Sequence, residues 1–410
     1  MNPPHPAPRL APRMSSVGAS PTAEISNKVR SLKSAGHAVV NLGEGELDFP
    51  TPPAIADAGI AAIRNGETKY TAVSGTADLK AAIAAKFLRE NQLSYEPREI
   101  IAGAGAKQLI FNAFLATLSP GDEVIIPAPY WVSYPDMIRL AGGEPVIVET
   151  TRSEGWVLQP DALRAAITPK TRWVVLNSPN NPTGAVYSPE AMKRLTDILV
   201  AHPDVLVMAD DIYEHLRFAG PFATPAALEP ALFDRTLTIN GVSKGYSMTG
   251  WRIGYAGGPA WLISAMEILQ SQSTSNPSTI SQAAAVAALT GDLGFMAEWI
   301  SILRDRRDIV MDMVAATPGL EADTPDGAFY VFADCSGLIG SATASGKVLG
   351  SDLDVAGYLL EEAHVGTVHG SAFGAPGHLR IAYAVDTDVL REACARITAA
   401  CGRLRIKKAA

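Results

Sequence analysis

The sequence contains one lysine whose surroundings could support covalent chemistry. Lys244 stands between Ser243 and Gly245, shortly after the apolar run 237–239, in a stretch rich in glycine and hydroxyl residues. A lysine near the end of a buried strand can have its pKa lowered by desolvation, and the neutral amine is then a nucleophile toward carbonyl carbon. By itself this signal is weak, because most lysines are solvated surface residues.

Two arginines are candidate anion-binding residues. Arg252 lies eight residues beyond Lys244 among the apolar and glycine residues of 250–254, and Arg380 alternates with apolar residues in 378–383. A guanidinium group fits a phosphate or a carboxylate, and an arginine on an otherwise buried strand needs an anion nearby. From the local sequence, an internal salt bridge is an equally good explanation for each arginine.

A carboxylate and a phenol follow another apolar run. Asp210 ends the run 205–209, where it could form an ion pair with a protonated ring nitrogen, and Tyr213 lies three residues further on the same local face. Asp211 is the competing choice for this role. Capping of a helix is the alternative explanation for one of the two aspartates.

A glycine-containing segment, Gly103-Ala104-Gly105-Ala106-Lys107-Gln108, joins a strand-like run at 99–101 to a helical stretch. Its backbone amides should therefore face any anion that binds at the start of the helix. The segment is neither a Walker motif nor a dinucleotide-binding motif, because no Lys-Ser/Thr pair follows the required spacer and Gln108 replaces the third glycine. A tight turn without a ligand is the alternative.

Several other residues have weaker local signals. Asn181 lies in Asn180-Asn181-Pro182-Thr183-Gly184, which indicates a turn first and a ligand site second. Trp131 could stack on a flat heteroaromatic ring, although a tryptophan in apolar sequence is more often a core residue. The histidines, including His215 and His369, have no metal-ligand spacing, so no metal site is predicted and both are interpreted as structural.

Many of these residues follow apolar runs that predict a parallel sheet. From about residue 51 to 294, short β-rich runs at 124–127, 173–177 and 205–210 alternate with helical stretches, which are predicted at 107–118, 189–199 and 261–270. This alternation is typical of βα units around a mostly parallel, buried sheet. Ligands bind beyond the carboxyl ends of the strands in such sheets. An α/β fold is therefore predicted.

The chain is predicted to form two domains and an arm. Residues 51–294 form the large domain, and a charged helical stretch, the strand-like run 328–332 and a final helical segment predict a smaller α+β domain at 295–410. Residues 14–50 are expected to contribute to the smaller domain. Residues 1–13 are rich in proline and are expected to be a mobile arm.

Composition and charge exclude several classes of protein. Apolar residues make up 47% and charged residues 19% of the chain, which argues against a disordered, collagen-like or disulfide-scaffold protein. The net charge of -8, without any block of like charges, argues against nucleic acid as a partner. Three cysteines without paired spacing indicate neither disulfides nor zinc, which favours the cytoplasm. Without a long apolar run, membrane insertion is disfavoured.

Taken together, these segments resemble one known family, the class I aminotransferases of pyridoxal-phosphate fold type I, and within it the bacterial aspartate aminotransferase branch. The resemblance extends from about residue 20 to about residue 386. Its most specific pieces are Glu67-Thr68-Lys69-Tyr70-Thr71, Gly105-Ala106-Lys107-Gln108, Asn177-Ser178-Pro179-Asn180-Asn181-Pro182-Thr183-Gly184, Asp210-Asp211-Ile212-Tyr213-Glu214-His215, the segment from Lys244 through Arg252, and Arg380. Six such pieces in one order argue against chance.

The resemblance implies a fold, a cofactor and an assembly. The fold would be a large domain with a mostly parallel seven-stranded sheet flanked by helices, plus a smaller α+β domain. The cofactor would be pyridoxal 5′-phosphate, and the reaction a ping-pong transfer of an amino group from an L-amino acid to a 2-oxo acid. The expected substrates are aspartate or glutamate and 2-oxoglutarate or oxaloacetate. The expected assembly is a homodimer with shared active sites.

The resemblance also implies roles for individual residues. Lys244 would hold the cofactor and move the substrate proton, and Asp210 would pair with the ring nitrogen. Asn181 and Tyr213 would hold the phenolic oxygen of the ring, and Trp131 would stack on it. The remaining cofactor contacts, mostly at the phosphate, would come from Gly105, Ala106, Lys107, Ser243, Arg252 and, from a second subunit, Tyr70. The substrate would contact Gly43, Trp131, Asn181 and Arg380.

Two departures from the family pattern bear on the substrate. Leu47 replaces proline in Gly43-Glu44-Gly45-Glu46-Leu47-Asp48-Phe49, and the stretch around Gly18 lacks the lysine or arginine that helps many relatives to bind a distal carboxylate. The second departure weakens the case for aspartate and, more strongly, for prephenate. Lys107 and Thr22 are the remaining candidates for contact with a distal carboxylate.

Other functions stay open at this point. An aminotransferase of the same fold that acts on aromatic, branched-chain or other amino acids is the main alternative, and a pyridoxal-phosphate β-lyase is a lesser one. A nucleotide-dependent oxidoreductase with its glycines at Gly103 and Gly105 is disfavoured, because the dinucleotide fingerprint is incomplete.

Overall fold

Three β-sheets organise the part of the chain that the structure, a computed structural model, describes, residues 10–405. The largest has seven strands, another has three, and a third is a pair of short strands. The strands are β1 (Val40–Asn41), β2 (Ile100–Gly103), β3 (Glu123–Ala128), β4 (Glu144–Glu149), β5 (Thr171–Asn177), β6 (Leu206–Asp210), β7 (Thr236–Gly241), β8 (Gly254–Gly257), β9 (Tyr330–Asp334), β10 (Val365–Gly366), β11 (Val368–His369) and β12 (His378–Ala382).

Helices alternate with the strands over most of the chain. The α-helices are α1 (Pro21–Ser34), α2 (Pro53–Arg64), α3 (Ala77–Asn91), α4 (Ala106–Thr117), α5 (Tyr134–Leu140), α6 (Pro160–Ala166), α7 (Pro189–Val200), α8 (Pro225–Leu228), α9 (Ala260–Ser271), α10 (Thr279–Thr290), α11 (Gly294–Ala316), α12 (Asp352–Tyr358) and α13 (Thr387–Gly402). The predicted strands at 124–127, 173–177 and 205–210 are confirmed by β3, β5 and β6. The predicted helices at 107–118, 189–199 and 261–270 are confirmed by α4, α7 and α9.

The large sheet is mostly parallel. Its strand order is β2-β8-β7-β6-β5-β3-β4, and the pairs among β4, β3, β5, β6 and β7 are all parallel. Only β8 runs antiparallel to its two neighbours, β7 and β2. The predicted α/β architecture with a mostly parallel seven-stranded sheet is therefore confirmed.

The apolar runs exist because both faces of this sheet are buried. In β5, Trp173 and Val175 pack into a core on one face, while Val174 and Leu176 pack into a core on the other. Side chains alternate between faces along a strand, so a strand covered on both faces must be apolar throughout. In β5 and β6, the polar residues lie at the strand ends.

The carboxyl ends of the parallel strands bring the predicted site residues to one edge. β3 precedes the turn with Trp131, β5 ends at Asn177, and β6 ends at Asp210. β7 precedes the turn with Ser243 and Lys244. Because parallel strands point the same way, segments distant in sequence converge where their strands end.

The C-terminal part of the chain contains the smaller sheet. β9, β12 and β11 form an antiparallel sheet that packs with α11 and α13 around a common apolar core. The N-terminal strand β1 pairs in parallel with β10, at Val40 with Val365 and Asn41 with Gly366. The domain boundaries at residues 50 and 294 stay a prediction.

The ends of the chain are described only in part. The predicted arm at 1–13 lies largely outside the described residues, and within them Pro12–Ser16 form a short 3₁₀ helix. Among residues 10–405, no single helix is both long and apolar enough to cross a membrane. Length and composition would allow a crossing only by α10 and α11 together, and these helices meet at 87°.

Candidate active site

A cavity of about 320 Å³ lies at the carboxyl edge of the large sheet. The predicted site residues that line it are Ala106, Lys107, Trp131, Asn181, Asp210, Tyr213, Ser243, Lys244, Arg252 and Arg380, with Thr22 beside them. Gly43 and Gly105 approach the same residues through their backbones, since the Gly43 carbonyl oxygen accepts a hydrogen bond from Arg380 and Gly105 packs against Arg252. The sequence therefore identified most of the groups that meet here.

Lys244 places its amine inside the cavity, from the turn after β7. Its Nζ donates a hydrogen bond to the backbone oxygen of Gly45 at 2.5 Å and lies 5.9 Å from the centre of the Tyr213 ring. Burial of the amine, and then the positive charge of Arg380, lower the pKa of Lys244 to about 8. The amine thus loses its proton far more readily than an exposed lysine does, as its predicted chemistry requires.

Asp210 offers the cavity a buried oxygen that has no partner. Its Oδ2 accepts a hydrogen bond from the Tyr134 hydroxyl at 2.5 Å, and its backbone oxygen accepts one from Asn177 Nδ2 at 2.8 Å. Its Oδ1 is buried without a hydrogen-bond partner among the described residues. Burial raises the pKa of Asp210 to about 6. A buried acceptor of this kind is stabilised by a ligand that supplies an N–H donor or a positive charge.

Asp211, the competing aspartate, does not line the cavity. It is buried, and this burial together with the negative charge of Glu214 raises its pKa well above the usual value. Of these two adjacent residues at the end of β6, only Asp210 lines the cavity. The geometry therefore favours Asp210 for contact with a ligand.

Tyr213 presents a neutral phenol. Its hydroxyl shares a hydrogen bond of 2.8 Å with the hydroxyl of Tyr330, which lies on β9. Burial, and then Tyr330, raise the pKa of Tyr213 well above 10. The phenol keeps its proton at physiological pH and can donate it in a hydrogen bond to an oxygen in the cavity.

One end of the cavity has the features of an anion site. α4 begins at Ala106 without a side-chain cap, and Gly105 before it has a φ of +97°. The uncapped amides at the start of a helix attract anions. Arg252 lies beside them, where Nη1 donates to the Thr249 carbonyl oxygen at 2.8 Å and Nη2 to that of Ala104 at 3.3 Å. Among residues 10–405, Arg252 has no carboxylate partner within 4 Å.

Arg380 is a buried guanidinium group without a counter-ion. Its Nη1 donates to Asn181 Oδ1 at 2.9 Å and its Nη2 to the Gly43 carbonyl oxygen at 2.6 Å. The side chain is 2% exposed and lies 4.5 Å above the Tyr330 ring. Its Nε has no partner, and no carboxylate lies within 4 Å among the described residues. A buried charge in this state is a strong binding site for an anion.

Trp131 and Lys107 lie together at the mouth of the cavity. Lys107 Nζ lies 4.8 Å from the centre of the Trp131 ring, and Trp131 packs edge-on against Tyr134 at 5.3 Å. Burial, and then the charge of Arg252, lower the pKa of Lys107. Trp131 is therefore held at the wall of the cavity by Lys107 and Tyr134.

Tyr70 is the predicted site residue that the structure places elsewhere. Its side chain is 91% exposed, and it lies with Lys69 and Thr279 on a surface depression away from the cavity. An aromatic ring so exposed buries no apolar surface within this chain.

Three residues at the site were not identified from the sequence. Tyr134 binds Asp210, Asn177 holds the backbone at Asp210, and Tyr330 binds Tyr213. Asn177 and Tyr330 lie in segments recognised as strands, and Tyr134 follows Trp131 by one helical turn. Each is an ordinary polar residue in the sequence, and Tyr134 lies outside every predicted element, so only the tertiary contact reveals its function.

Comparison with known proteins gives a consistent result. The family "Aminotransferase class I and II" matches residues 37–397. The chain is 52% identical to an aspartate/prephenate aminotransferase of Cereibacter sphaeroides over 96% of this chain and 99% of that protein. It is similar to the crystal structure of an aspartate aminotransferase from Rhizobium meliloti, with a TM-score of 0.94 and 51% identity over 97% and 100% of the two chains. An aspartate aminotransferase of Thermus thermophilus with maleate gives a TM-score of 0.89 at 42% identity, over 96% and 100%.

The surroundings of Lys244 predict an unusually acidic ammonium group. In protein from which pyridoxal 5′-phosphate has been removed, acetic anhydride should acylate Lys244 with a half-maximal rate near pH 8, because burial and Arg380 disfavour the charged form. Below that pH the amine is protonated and unreactive. The rate is measured by peptide mass spectrometry, with the exposed Lys33 in the same digest as the reference for reagent consumption. A half-maximal rate above pH 10 would contradict the described environment.

Proposed function

The chain belongs to the class I and II aminotransferases and is a pyridoxal-phosphate-dependent enzyme, and from this premise we propose that it transfers the amino group of aspartate or glutamate to 2-oxoglutarate or oxaloacetate. The family, fold and cofactor predicted from the motifs are confirmed. The choice of substrates is supported by the relatives that are named aspartate aminotransferases and aspartate/prephenate aminotransferases.

The cavity fits the reactive groups of pyridoxal 5′-phosphate. The observation that carries the proposal is that one cavity contains both the amine of Lys244 and the unpartnered oxygen Oδ1 of Asp210. Lys244 would bind the carbonyl carbon of the cofactor, and Asp210 would hold a proton on the pyridine nitrogen. When bound, the cofactor supplies an electron sink for the α carbon of the substrate.

The other groups at the centre of the cavity suit the ring. Tyr213 is a neutral phenol that can donate to the phenolic oxygen. The Oδ1 atom of Asn181 already accepts from Arg380, which leaves its amide NH₂ group to donate to the same oxygen. Trp131 lines the cavity and would stack on the ring.

The phosphate would be bound at the start of α4. The amides near Gly105, Ala106 and Lys107, together with Ser243 and Arg252, all lie at this end of the cavity. An uncapped helix start and an unpaired guanidinium group are complementary to a phosphate dianion.

Arg380 is proposed to bind the α-carboxylate of the amino acid. It is the buried cation at the opposite side of the site, its guanidinium group is fixed by Asn181 and Gly43, and it has no carboxylate partner in the described chain. A substrate carboxylate would supply the missing anion and would thereby fix the α carbon relative to Lys244.

Once the amino group of the substrate has displaced it from the cofactor, the freed Lys244 amine is proposed as the base that removes the proton from the α carbon. With a pKa near 8, the amine accepts and releases a proton at physiological pH. Asp210 keeps its negative charge at the ring nitrogen while this transfer occurs, because Tyr134 donates to it. Trp131 and Tyr213 line the cavity and would keep water from the reacting groups.

A distal carboxylate of the substrate would meet Lys107 and Thr22. Among the charged residues lining the cavity, Lys244, Arg252 and Arg380 have the roles above, and Lys107 is the remaining cation. The Thermus thermophilus enzyme was solved with maleate, a dicarboxylate. The proposal therefore assigns a four- or five-carbon dicarboxylic amino acid to the site.

The proposed assembly is a homodimer in the cytoplasm. Tyr70 is an exposed aromatic residue in a segment that the family resemblance assigns to the active site, yet it lies outside the cavity of its own chain. A second copy of the chain would bring Tyr70 to the phosphate of the neighbouring site. We also propose that residues 51–294 and 295–410, with 14–50, act as separate domains around the cavity.

The donor preference tests the proposed function. We expect a kcat/KM for aspartate or glutamate above those for phenylalanine and leucine, with 2-oxo acid formed in the absence of an acceptor because the cycle is ping-pong. Lys107→Met should lower kcat/KM for aspartate about 10-fold, the order expected for one charge-assisted hydrogen bond. It should leave kcat/KM for leucine unchanged. A much higher value for phenylalanine or leucine would contradict the proposal.

A pair of glycine substitutions tests the phosphate site. In Gly105→Ala the new Cβ would lie 2.4 Å from Arg252 Nη2, so the guanidinium group must move. We expect the Kd for pyridoxal 5′-phosphate to rise about 10-fold or more, measured by fluorescence titration of the cofactor-free protein. Gly142→Ala is the matched control, since Gly142 has a φ of +91° with nothing within 4 Å. Equal affinities for both variants would argue against the assignment.

Subunit complementation tests the shared site. Tyr70→Ala and Lys244→Ala chains should each be nearly inactive alone. After denaturation and refolding together, random pairing should restore up to about a quarter of wild-type activity, because a mixed dimer has one site with both native residues. The absence of recovery in verified mixed dimers would show that Tyr70 does not act across the interface.

A further inference from the structure

A buried cluster of charged residues lies next to the active site, outside the cavity. Lys86 on α3 is fully buried, and its Nζ is bonded to Glu214 Oε1, lies 2.7 Å from Asn91 Oδ1 and lies 3.5 Å from Glu90 Oε2. His215 Nε2 is 2.8 Å from the same oxygen of Glu90. These residues do not line the cavity and have no part in the reaction described above.

The cluster is completed by two amides, and a metal ion is not needed to explain it. Asn91 Nδ2 and Asn240 Nδ2 donate to the two oxygens of Glu214 at 2.6 and 2.7 Å. The ligand atoms of Glu90, Glu214 and His215 all lie within 4.8 Å of one another, as in a metal site. The ammonium group of Lys86 already contacts both carboxylates, so a fixed cation belonging to the chain takes the place of an ion.

The cluster alternates in sequence with the active-site residues. Tyr213 faces the cavity and Glu214, the next residue, faces the cluster. Asn240 lies on β7, four residues before Lys244, and also binds Glu214. The turn after β6 and the strand leading to Lys244 are therefore joined through the carboxylate that Lys86 neutralises.

The turn that carries Lys244 also packs on the cluster. A Cβ at Gly245 would lie 2.8 Å from the ring nitrogen Nδ1 of His215, so the imidazole ring fills the space where a side chain would be. His215 also packs edge-on against Tyr246 at 5.5 Å. The residue after Lys244 thus rests directly on the histidine that is bonded to Glu90.

The charges of the cluster are balanced only with Lys86. Burial alone would raise the pKa of Glu214, but Lys86, His215 and the hydrogen bonds outweigh it, and the pKa of Glu214 is lowered. Asp211 next to it has a raised pKa because of burial and of Glu214. Loss of one partner of a buried pair leaves an uncompensated charge, which costs more than the pair itself contributes.

We propose that Lys86 is a positioning residue for the active site, whose buried ammonium holds Glu214, the carboxylate through which the turn bearing Tyr213 is joined to the strand leading to Lys244. It also offsets the carboxylate charge of Glu214 and Glu90 behind the reactive amine. The inference rests on the proposed function, because it assumes that Lys244 binds the cofactor. The amine itself is surrounded by Arg380, Glu46, Arg252 and Asp210, and none of these groups changes in the variants below.

The test is a pH titration of the visible absorbance of the holoenzyme. In Lys86→Met, Asn91 and Asn240 still stabilise the ionised Glu214. Its uncompensated negative charge favours the protonated form of the nitrogen that links Lys244 to the cofactor. We expect the pH at the midpoint of the absorbance change to be higher than in the wild-type enzyme by about half a pH unit or more. This is the order expected for one uncompensated charge in a partly desolvated site. Glu214→Gln leaves Lys86 with only the more distant carboxylate of Glu90, at 3.5 Å, so the positive charge is less well balanced and the midpoint of the titration should fall.

A double variant separates charge from packing. Lys86→Met with Glu214→Gln removes both charges, so its midpoint should return toward the wild-type value, whereas two independent losses of packing would not cancel. Lys80→Met is the matched control, because Lys80 lies on the same helix, donates to the Pro97 carbonyl oxygen and is outside the cluster. Its midpoint should stay unchanged.

Each outcome decides the proposal. If thermal unfolding shows that Lys86→Met is folded, an unshifted midpoint of its absorbance titration would overturn the proposal. If Lys86→Met does not fold, Glu214→Gln decides, and an unshifted or raised midpoint in that variant would likewise overturn it. A cofactor found attached to a different lysine after borohydride reduction of the wild-type protein would instead contradict the role of Lys244, so the two failures are distinguishable.

Discussion

The desolvated amine of Lys244 is the constraint on which the rest of the site depends. An amine can act as a nucleophile and a base near neutral pH only if its ammonium form is made less stable than in water. Burial and the nearby Arg380 supply that effect here, and they lower the pKa of Lys244 to about 8. The parallel sheet serves this end, because the turns at its carboxyl edge can be lined with charges while its strands remain apolar.

The cavity is arranged around groups that the chain leaves unsatisfied. Within residues 10–405, Asp210 Oδ1 and Arg380 Nε are buried without hydrogen-bond partners, and no side chain caps the first amides of α4. Unpaired buried groups cost free energy in the empty protein. Their complements are a ring N–H, a carboxylate and a phosphate, and an amino-acid complex of pyridoxal 5′-phosphate carries all three. The stability lost in building the site is therefore regained as binding energy.

Much of the fold could be predicted from the sequence, because burial on both faces of a parallel sheet leaves an unmistakable apolar run. β3, β5 and β6 were found this way, and with them the strand ends at Asn177 and Asp210. The roles of Tyr134 and Tyr330 could not be predicted, since each binds a partner far away in sequence. The burial of Lys86 was equally hidden, because a lysine on an amphipathic helix such as α3 normally faces water.

The central claim is that Lys244 binds the cofactor, and reduction with borohydride tests it most directly. The account predicts a yellow protein that loses its visible band on reduction, with a single pyridoxyl group found by peptide mapping on Lys244. A protein that takes up no pyridoxal 5′-phosphate, or a label on another lysine such as Lys107, would contradict it.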